Sequence, residues 1–366
     1  MAPVAKARPR RTFDNMSVTE VRGFLRECAM AGEPVGVAVL LRAWRSAPRA
    51  PGARFAAGPG TATAGSISAG CVEADLCEHL SAAALGAPPG IVRYGISDSD
   101  ATAVGLSCGG EIELLVQAHD PKDPVWRRLE DVVGHGEEAV LGTALSDPVL
   151  GRRMLLTAAG DTVGSLGDAG RDAAFVAAAE QALAEESATG VAVLGPGLDV
   201  FLEPVLRPHH LVVVGATPLA LALADLAAPL GIRLTIVEPR ETLAARARES
   251  EVTTIQAMPD EAFGTLNLDR RSAVAVVAHD ERLDVAALLT ALRAGAGYVG
   301  LLGGRRTQRL RRESLKERGV AAGQIERIQG PIGLDIGAES PGEIALSILA
   351  QVVRHWSTPK PKGPDA

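Results

Sequence analysis

The chain has 366 residues, a formal net charge of −7, 47% hydrophobic residues and only 3% aromatic ones. This length supports two or three domains with cores built mostly from Ala, Val and Leu, and the acidic balance argues against a general nucleic-acid binder. The 40 glycines and 23 prolines are spread over many turns, which fits neither collagen nor a disordered linker.

The first eleven residues are rich in Lys, Arg and Pro without an apolar run. They read as part of a disordered tail over residues 1–16 rather than a secretory signal. The most apolar stretch, residues 211–234, is broken by Gly215, Pro218, Asp225, Pro229 and Arg233, so no membrane span is expected. Cys28, Cys71, Cys77 and Cys108 form no CxxC pair and no zinc-like cluster. A cytoplasmic protein without disulfides is the expectation.

Residues 17–31 have helical spacing, with Val21, Phe24, Leu25 and Cys28 on one side, which makes Cys28 a core residue. Residues 35–41 are an apolar strand. A proline-rich turn follows over 43–54, with Arg45, Arg49 and Arg54 close to Ser46. The next segment, Gly65, Ser66, Ile67, Ser68, Ala69, Gly70, Cys71, Val72, Glu73, runs into a helix marked by Val72, Leu76, Leu80 and Ala83. Cys71 therefore sits at or just before a helix start, where free amides and the helix dipole would stabilise a thiolate; the same small-residue loop could hold a phosphate. Cys77 lies about 120° around that helix and reads as packing. Cys108 lies in a second glycine-rich turn with Gly109 and Gly110, just before a strand over 111–117. Two readings stay open for this pair: one shared site, or two independent turns each holding a thiol.

From about residue 205 the pattern alternates strand and helix. Residues 211–214 form a buried strand ending at Gly215, Pro218 opens a helix that stops at Gly231, and residues 232–237 form a strand ending in Glu238. Residues 273–278 and 298–302 are two more buried strands, with a helix over 284–293 between them. Short links of this kind imply a parallel sheet with right-handed crossovers. Gly215 and Glu238 stand where a dinucleotide fold holds phosphate and ribose, yet only the first of the three expected glycines is present, and Thr217 adds bulk at the phosphate position. A scaffold that no longer binds a nucleotide is the competing reading.

A second glycine turn, Gly303 and Gly304, opens a basic helix. Its Arg305 and Arg306 suit an anionic ligand, whereas Arg309, Arg311, Arg312 and Lys316 read as a solvated face balancing Glu313 and Glu317. Ser340, Pro341 and Glu343 make a capping box for a last helix ending near Trp356. The cap leaves Asp335 and Glu339 unexplained, as loop hydrogen bonding or as a polar cleft wall.

Together these segments resemble the XdhC/CoxI family, accessory factors of xanthine dehydrogenase and carbon monoxide dehydrogenase. The resemblance is carried by residues 46–52, 65–73, 94–98, 105–110, 298–306 and 330–339, and spans about residues 17–355; Ala69 and Gly304 replace a Gly and a Ser of the family motifs. It implies an α/β chain: an N-terminal α+β domain of XdhC type over 17–204, a C-terminal Rossmann-like parallel sheet over 205–357, and a tail over 358–366. It further implies a carrier, rather than a turnover enzyme, that binds the molybdenum cofactor as molybdopterin or its dinucleotide form. Such a carrier would hold the cofactor during sulfuration, with a cysteine desulfurase as sulfur donor, and pass it to an apo molybdenum hydroxylase.

The implied cofactor contacts are Cys71 first, also as the contact to molybdenum, and Cys108 second. Ser66, Ser68, Gly70, Gly109 and Gly110 surround them, and Gly215, Glu238, Gly303, Gly304, Arg305, Arg306, Asp335 and Glu339 line the Rossmann half. Relatives carry a fuller glycine turn and an Asp where this chain has Glu238, which puts NAD(P) at the first turn in question. A homodimer is expected, without nucleic-acid or membrane partners. The competing function is a nicotinamide-dependent oxidoreductase with a degenerate fingerprint; His119, His135 and His279, isolated in sequence, read as structural or surface groups and offer it no hydride-transfer pair.

Overall fold

The computed structural model describes residues 21–44, 49–58, 60, 62–68, 70, 72–95, 110–187 and 189–356. The chain divides into two compact units, with the boundary between Arg207 and Pro208.

In the first unit, alternating apolar residues build two layered sheets. Helix α1 (Arg22–Ala31) precedes β1 (Val35–Trp44), β2 (Arg54–Ala57), β3 (Thr63–Gly65), helix α2 (Glu73–Ala84), β4 (Gly90–Tyr94) and β5 (Glu111–His119). The strands pair antiparallel in the order β3-β2-β1-β5-β4. Successive side chains of β1 point to opposite faces. Ala38 and Leu40 pack with Leu76, Leu80 and Ala83 of α2, while Val37, Val39 and Leu41 pack with Leu25 and Cys28 of α1. Burial of each such leucine is worth about 1.5–3 kcal/mol. Cys28 is a core residue, and burial, with Glu33 and Glu27 adding to it, pushes its thiol pKa up.

A second sheet follows. It is formed by helix α3 (Pro124–His135), β6 (Ala139–Ala144), β7 (Arg153–Thr157), β8 (Thr162–Gly164), helix α4 (Ala169–Glu185), β9 (Gly190–Gly195) and β10 (Leu198–Val205), in the antiparallel order β8-β7-β6-β10-β9. Leu145 and Phe201 from this half join the apolar layer of β1 and β5.

The second unit is an all-parallel sheet of order β13-β12-β11-β14-β15. It comprises β11 (His210–Val214), α5 (Pro218–Ala227), β12 (Arg233–Val237), α6 (Glu241–Glu249), β13 (Thr254–Ile255), α7 (Pro259–Leu266), β14 (Ser272–Val276), α8 (Glu281–Arg293), β15 (Tyr298–Leu301), α9 (Arg305–Glu317), α10 (Ala322–Glu326) and α11 (Pro341–Trp356). The strand order changes direction between β11 and β14, so the crevice of such a sheet opens there, at the strands' C-terminal ends. Both faces are covered: α5 and α11 pack on one, α7 and α8 on the other.

Helix α8 starts at Glu281, three residues before the expected start at 284, because Asp280 caps it by accepting from Arg282 N and Leu283 N. The expected capping box of α11 is present: Glu343 Oε2 accepts from Glu339 N and Ser340 N, and Ser340 Oγ accepts from Glu343 N. Among the described residues no helix is long and apolar enough to cross a membrane.

Candidate functional site

The loop over residues 65–73 is organised around one carboxylate. Glu73, in the first turn of α2, receives Ser66 Oγ (3.0 Å), Ile67 N (3.0 Å) and Ser68 N (2.8 Å) on Oε1. Its Oε2 receives Ser68 Oγ, Gly70 N (3.0 Å) and Val72 N (3.2 Å). Burial opposes ionisation of Glu73, but the donors of Ser68, Ile67 and Ser66 outweigh it and hold the pKa at about 2. Ile67 and Val72, both fully buried, pin the loop from below. Gly65 must be glycine: its φ is +80°, and a Cβ would stand 2.1 Å from the Arg54 carbonyl oxygen. Gly70, at φ +114°, faces open space, with nothing within 4 Å of a Cβ.

Cys71, Ala69, Cys108 and Gly109 lie outside the described residues, as do 45–48 and 96–109. Ser66, Ser68 and Gly70 belong to the Glu73 network, and Gly110 is buried at the start of β5. The amides of Ile67, Ser68, Gly70 and Val72 are therefore already committed to an internal anion. A phosphate there would have to displace Glu73, at about 1–3 kcal/mol for each donor left without a partner. The sequence pattern does not mark Glu73 as the loop's organiser; the signal for it is a carboxylate at the first helical position behind a loop rich in Gly, Ser and Ala.

At the Rossmann crevice, Gly215 has φ +106°, and a Cβ there would meet Ala278 Cα at 2.6 Å. Close approach of the turn after β11 to the segment after β14 thus explains this glycine without any ligand. The side chain of Thr217 caps α5 by accepting from Ala220 N. Glu238 is wholly buried, and its carboxylate accepts from Ala216 N (2.9 Å), Arg240 N (3.0 Å), Arg240 Nε (2.6 Å) and Arg240 Nη2 (2.7 Å). Burial raises its pKa, and the Arg240 and Ala216 donors more than reverse this, so it stays ionised. An acid that should hold ribose hydroxyls is saturated by its own chain, so the residues present do not fit NAD(P) at this turn.

Beyond β15, Gly303 adopts φ +131° and Gly304 caps α9, with Arg305 and Arg306 exposed. Arg305, Arg309, Arg312 and Lys316 line a groove of about 360 Å³ with Gly330 and Pro331. The helix is less uniform than its sequence implied. Arg311 is buried and paired with Asp284 (3.1 Å), and Arg312 donates to the carbonyls of Ile325 and Ile328. Asp335 and Glu339 are exposed.

Residues 28–95 match the model of the XdhC and CoxI family, and residues 211–352 match that of the XdhC Rossmann domain. The uncharacterized protein YqeB of Escherichia coli K12 is 30% identical over 225 residues, 57% of this chain but 41% of that protein's own length. A probable xanthine dehydrogenase subunit of Bacillus subtilis 168 is 24% identical over 301 residues, 79% of this chain and 83% of the relative. The molybdenum cofactor insertion chaperone PaoD of E. coli K12 is 33% identical over 91 residues, 25% of this chain and 29% of the chaperone. A crystal structure described as a xanthine dehydrogenase from Bacillus halodurans shares the fold, with a TM-score of 0.73 and 22% identity over 93% of this chain and 97% of that one. Two matches of one family, placed on the loop-bearing unit and on the parallel sheet, lead to one assignment: the chain belongs to the XdhC and CoxI family.

Proposed function

We propose that this chain is a maturation factor for a molybdenum hydroxylase of the xanthine dehydrogenase or carbon monoxide dehydrogenase type. It binds the molybdenum cofactor as cargo, holds it through terminal sulfuration by a cysteine desulfurase, and passes it to the apo-enzyme, acting in the cytoplasm as a homodimer. Family membership and the similarity to PaoD, named a molybdenum cofactor insertion chaperone, support the reading.

The observation that carries it is the loop fastened by Glu73. Residue 71 lies between two amides, those of Gly70 and Val72, that are both held to one carboxylate, and the space beside Gly70 is open. A cysteine at that position offers a soft sulfur to a thiophilic metal, on a loop whose shape is set before the cargo arrives. Cys108, with Gly109 and Gly110, is the second contact. Because Glu73 uses the amides of the 65–73 loop, Gly303, Gly304, Arg305 and Arg306, with Asp335 and Glu339 as polar contacts, are a separate candidate for an anionic group on the Rossmann unit. The saturation of Glu238 counts against a nicotinamide-dependent oxidoreductase.

Equilibrium dialysis against the molybdenum cofactor, comparing the wild type with Cys71→Ser, tests the reading. Loss of retention with an unchanged melting temperature is the expected result. Equal retention by both proteins would remove the sulfur from the mechanism.

A further inference from the structure

The two sheets of the first unit repeat each other. Each has a leading helix, three strands, a second helix and two closing strands, and the spatial orders β3-β2-β1-β5-β4 and β8-β7-β6-β10-β9 correspond strand for strand. The registers agree as well. Val39 faces Arg54 and Leu115, as Thr143 faces Arg153 and Phe201, and Phe55 faces Gly65 as Met154 faces Gly164. Helix α2 buries Leu76, Leu80 and Ala83, and α4 buries Phe175, Ala179 and Ala182 at the same spacing. Gly65 and Gly164 share a left-handed φ, +80° and +89°. A Cβ on either would strike the carbonyl of the equivalent arginine, Arg54 at 2.1 Å or Arg153 at 2.3 Å.

The loops correspond too. Ser165 Oγ and Leu166 N donate to Asp172 at 2.8 and 2.7 Å, as Ser66 Oγ and Ile67 N donate to Glu73. They then diverge. In the second loop the amides of Gly170 and Arg171 are taken by Asp168, at 3.0 Å each. The residues at the places of Asp168 and Gly170 in the first loop are Ala69 and Cys71. The first loop has no such Asp, and Glu73, one methylene longer than Asp172, reaches on to Gly70 N and Val72 N.

We infer that residues 21–205 are two fused copies of one module, and that Glu73 is the positioning residue of the Cys71 loop, a part that Asp172 plays in a second, thiol-free loop closed by Asp168. The carboxylate latch is present with and without a cysteine, so it shapes the loop and is not itself the chemistry. What distinguishes the first loop in sequence is Cys71 and Ala69, where the second has Gly170 and Asp168. Each chain thus has one loop with a cysteine and one without. This assignment rests on the proposed cargo only in naming what the first loop receives.

The test is the rate of iodoacetamide alkylation at Cys71 in the full chain, followed by peptide mass spectrometry from pH 6 to 9, beside cofactor retention and melting temperature. Glu73→Gln removes a negative charge and loosens the loop, so alkylation at pH 7 should rise by about threefold or more; Ala69→Asp adds a charge and should slow it by about threefold or more, each with a shifted pH midpoint. Asp172→Asn should lower the melting temperature while leaving the rate at Cys71 within about twofold, since it acts on the other copy. If Glu73→Gln fails to fold, Ala69→Asp decides alone. An equal effect of Asp172→Asn, or no effect of Ala69→Asp, overturns the inference. Shifted alkylation with cofactor retention at the wild-type level supports it while counting against the cargo reading.

Discussion

Replacing Arg54 by Met should destabilise the first unit by about 3–5 kcal/mol, the usual cost of removing one partner of a buried ion pair. Arg54 on β2 meets Glu203 on β10 of the other sheet, with Nη2 at 2.9 Å from Oε2 and 2.8 Å from Oε1. The two side chains are 2% and 1% exposed. Burial pushes the Glu203 carboxyl pKa up, against the pull of Arg54 and Arg153. The space beside the pair, about 10 Å³ and lined by Val37, Leu115 and Phe201 together with Gln117, Thr143 and Arg153, has room for one water at most. Hydration therefore cannot replace the lost guanidinium.

For a unit of this size the loss corresponds to a fall of about 6–20 °C in melting temperature. Scanning calorimetry of the full chain at pH 7 and pH 5 is the assay. A carboxyl whose folded pKa is raised is relatively better off protonated in the fold, so its contribution is present at low pH and lost as pH rises through the folded value. The deficit of Arg54→Met should therefore shrink from pH 7 to pH 5. Adding Glu203→Leu should recover most of it, because an apolar pair carries no desolvation cost. A loss below about 2 °C, or a deficit that grows on acidification, would refute the argument.

Gly215→Ala should cost about 1–3 kcal/mol, through a left-handed backbone and a clash with Ala278 Cα at 2.6 Å. Gly70→Ala, strained but unobstructed, should cost only about 1 kcal/mol; thermal melts of the two variants compare them directly. His210 accepts from Arg233 Nη2 on Nδ1 at 3.0 Å and donates from Nε2 to Thr235 Oγ1 at 2.9 Å. Burial, then Arg233, lowers its pKa to about 4. Its neutral ring stabilises the Rossmann unit above pH 6.5, and that contribution is lost as pH falls towards 4; an NMR titration with a midpoint above 6 would contradict this. Saturable quenching of NADH fluorescence by the wild type would contradict the saturation of Glu238, and no binding is the expected result.

The parallel sheet was legible because its strands are buried on both faces and read as unbroken Val, Leu and Ala runs, and because Gly215, Gly231 and Pro218 punctuate them. β13, only two residues long, left no such run. The stretch over residues 120–205 yielded no elements in the sequence, although it holds a complete sheet. Its strands carry Gly142, Thr143, Thr157, Glu203 and Pro204 among apolar residues, which blurs alternation. Its relation to the first half is hidden because different turn lengths separate equivalent strands and few equivalent side chains are identical. Arg54 and Arg153 are among those few, yet nothing local in sequence marks either as buried. The Cys71 loop was legible as a motif; the Glu73 latch was not, since its six hydrogen bonds depend on the turn geometry at Gly65 and Gly70.

Among the described residues, the loops at 65–73 and 164–172 each turn several amides onto carboxylates, and the turn after β11 turns one, that of Ala216. Each is filled by a carboxylate of its own segment or fold, Glu73, Asp172 with Asp168, and Glu238. A turn filled from within is rigid before any ligand comes, and it rejects a phosphate that brings the same charge without the covalent tether. On the proposed reading, recognition falls to what these turns leave outside themselves. In the first unit the proposed contact is Cys71, next in sequence to Gly70. In the second it is the groove that Arg305, Arg309, Arg312 and Lys316 line with Glu313, Gly330 and Pro331, where exposed Arg309 meets Glu313 only at 3.8 Å. Arg309→Glu with Lys316→Glu should therefore weaken retention of a phosphorylated cargo without lowering the melting temperature, whereas Glu238→Gln should lower the melting temperature without weakening retention.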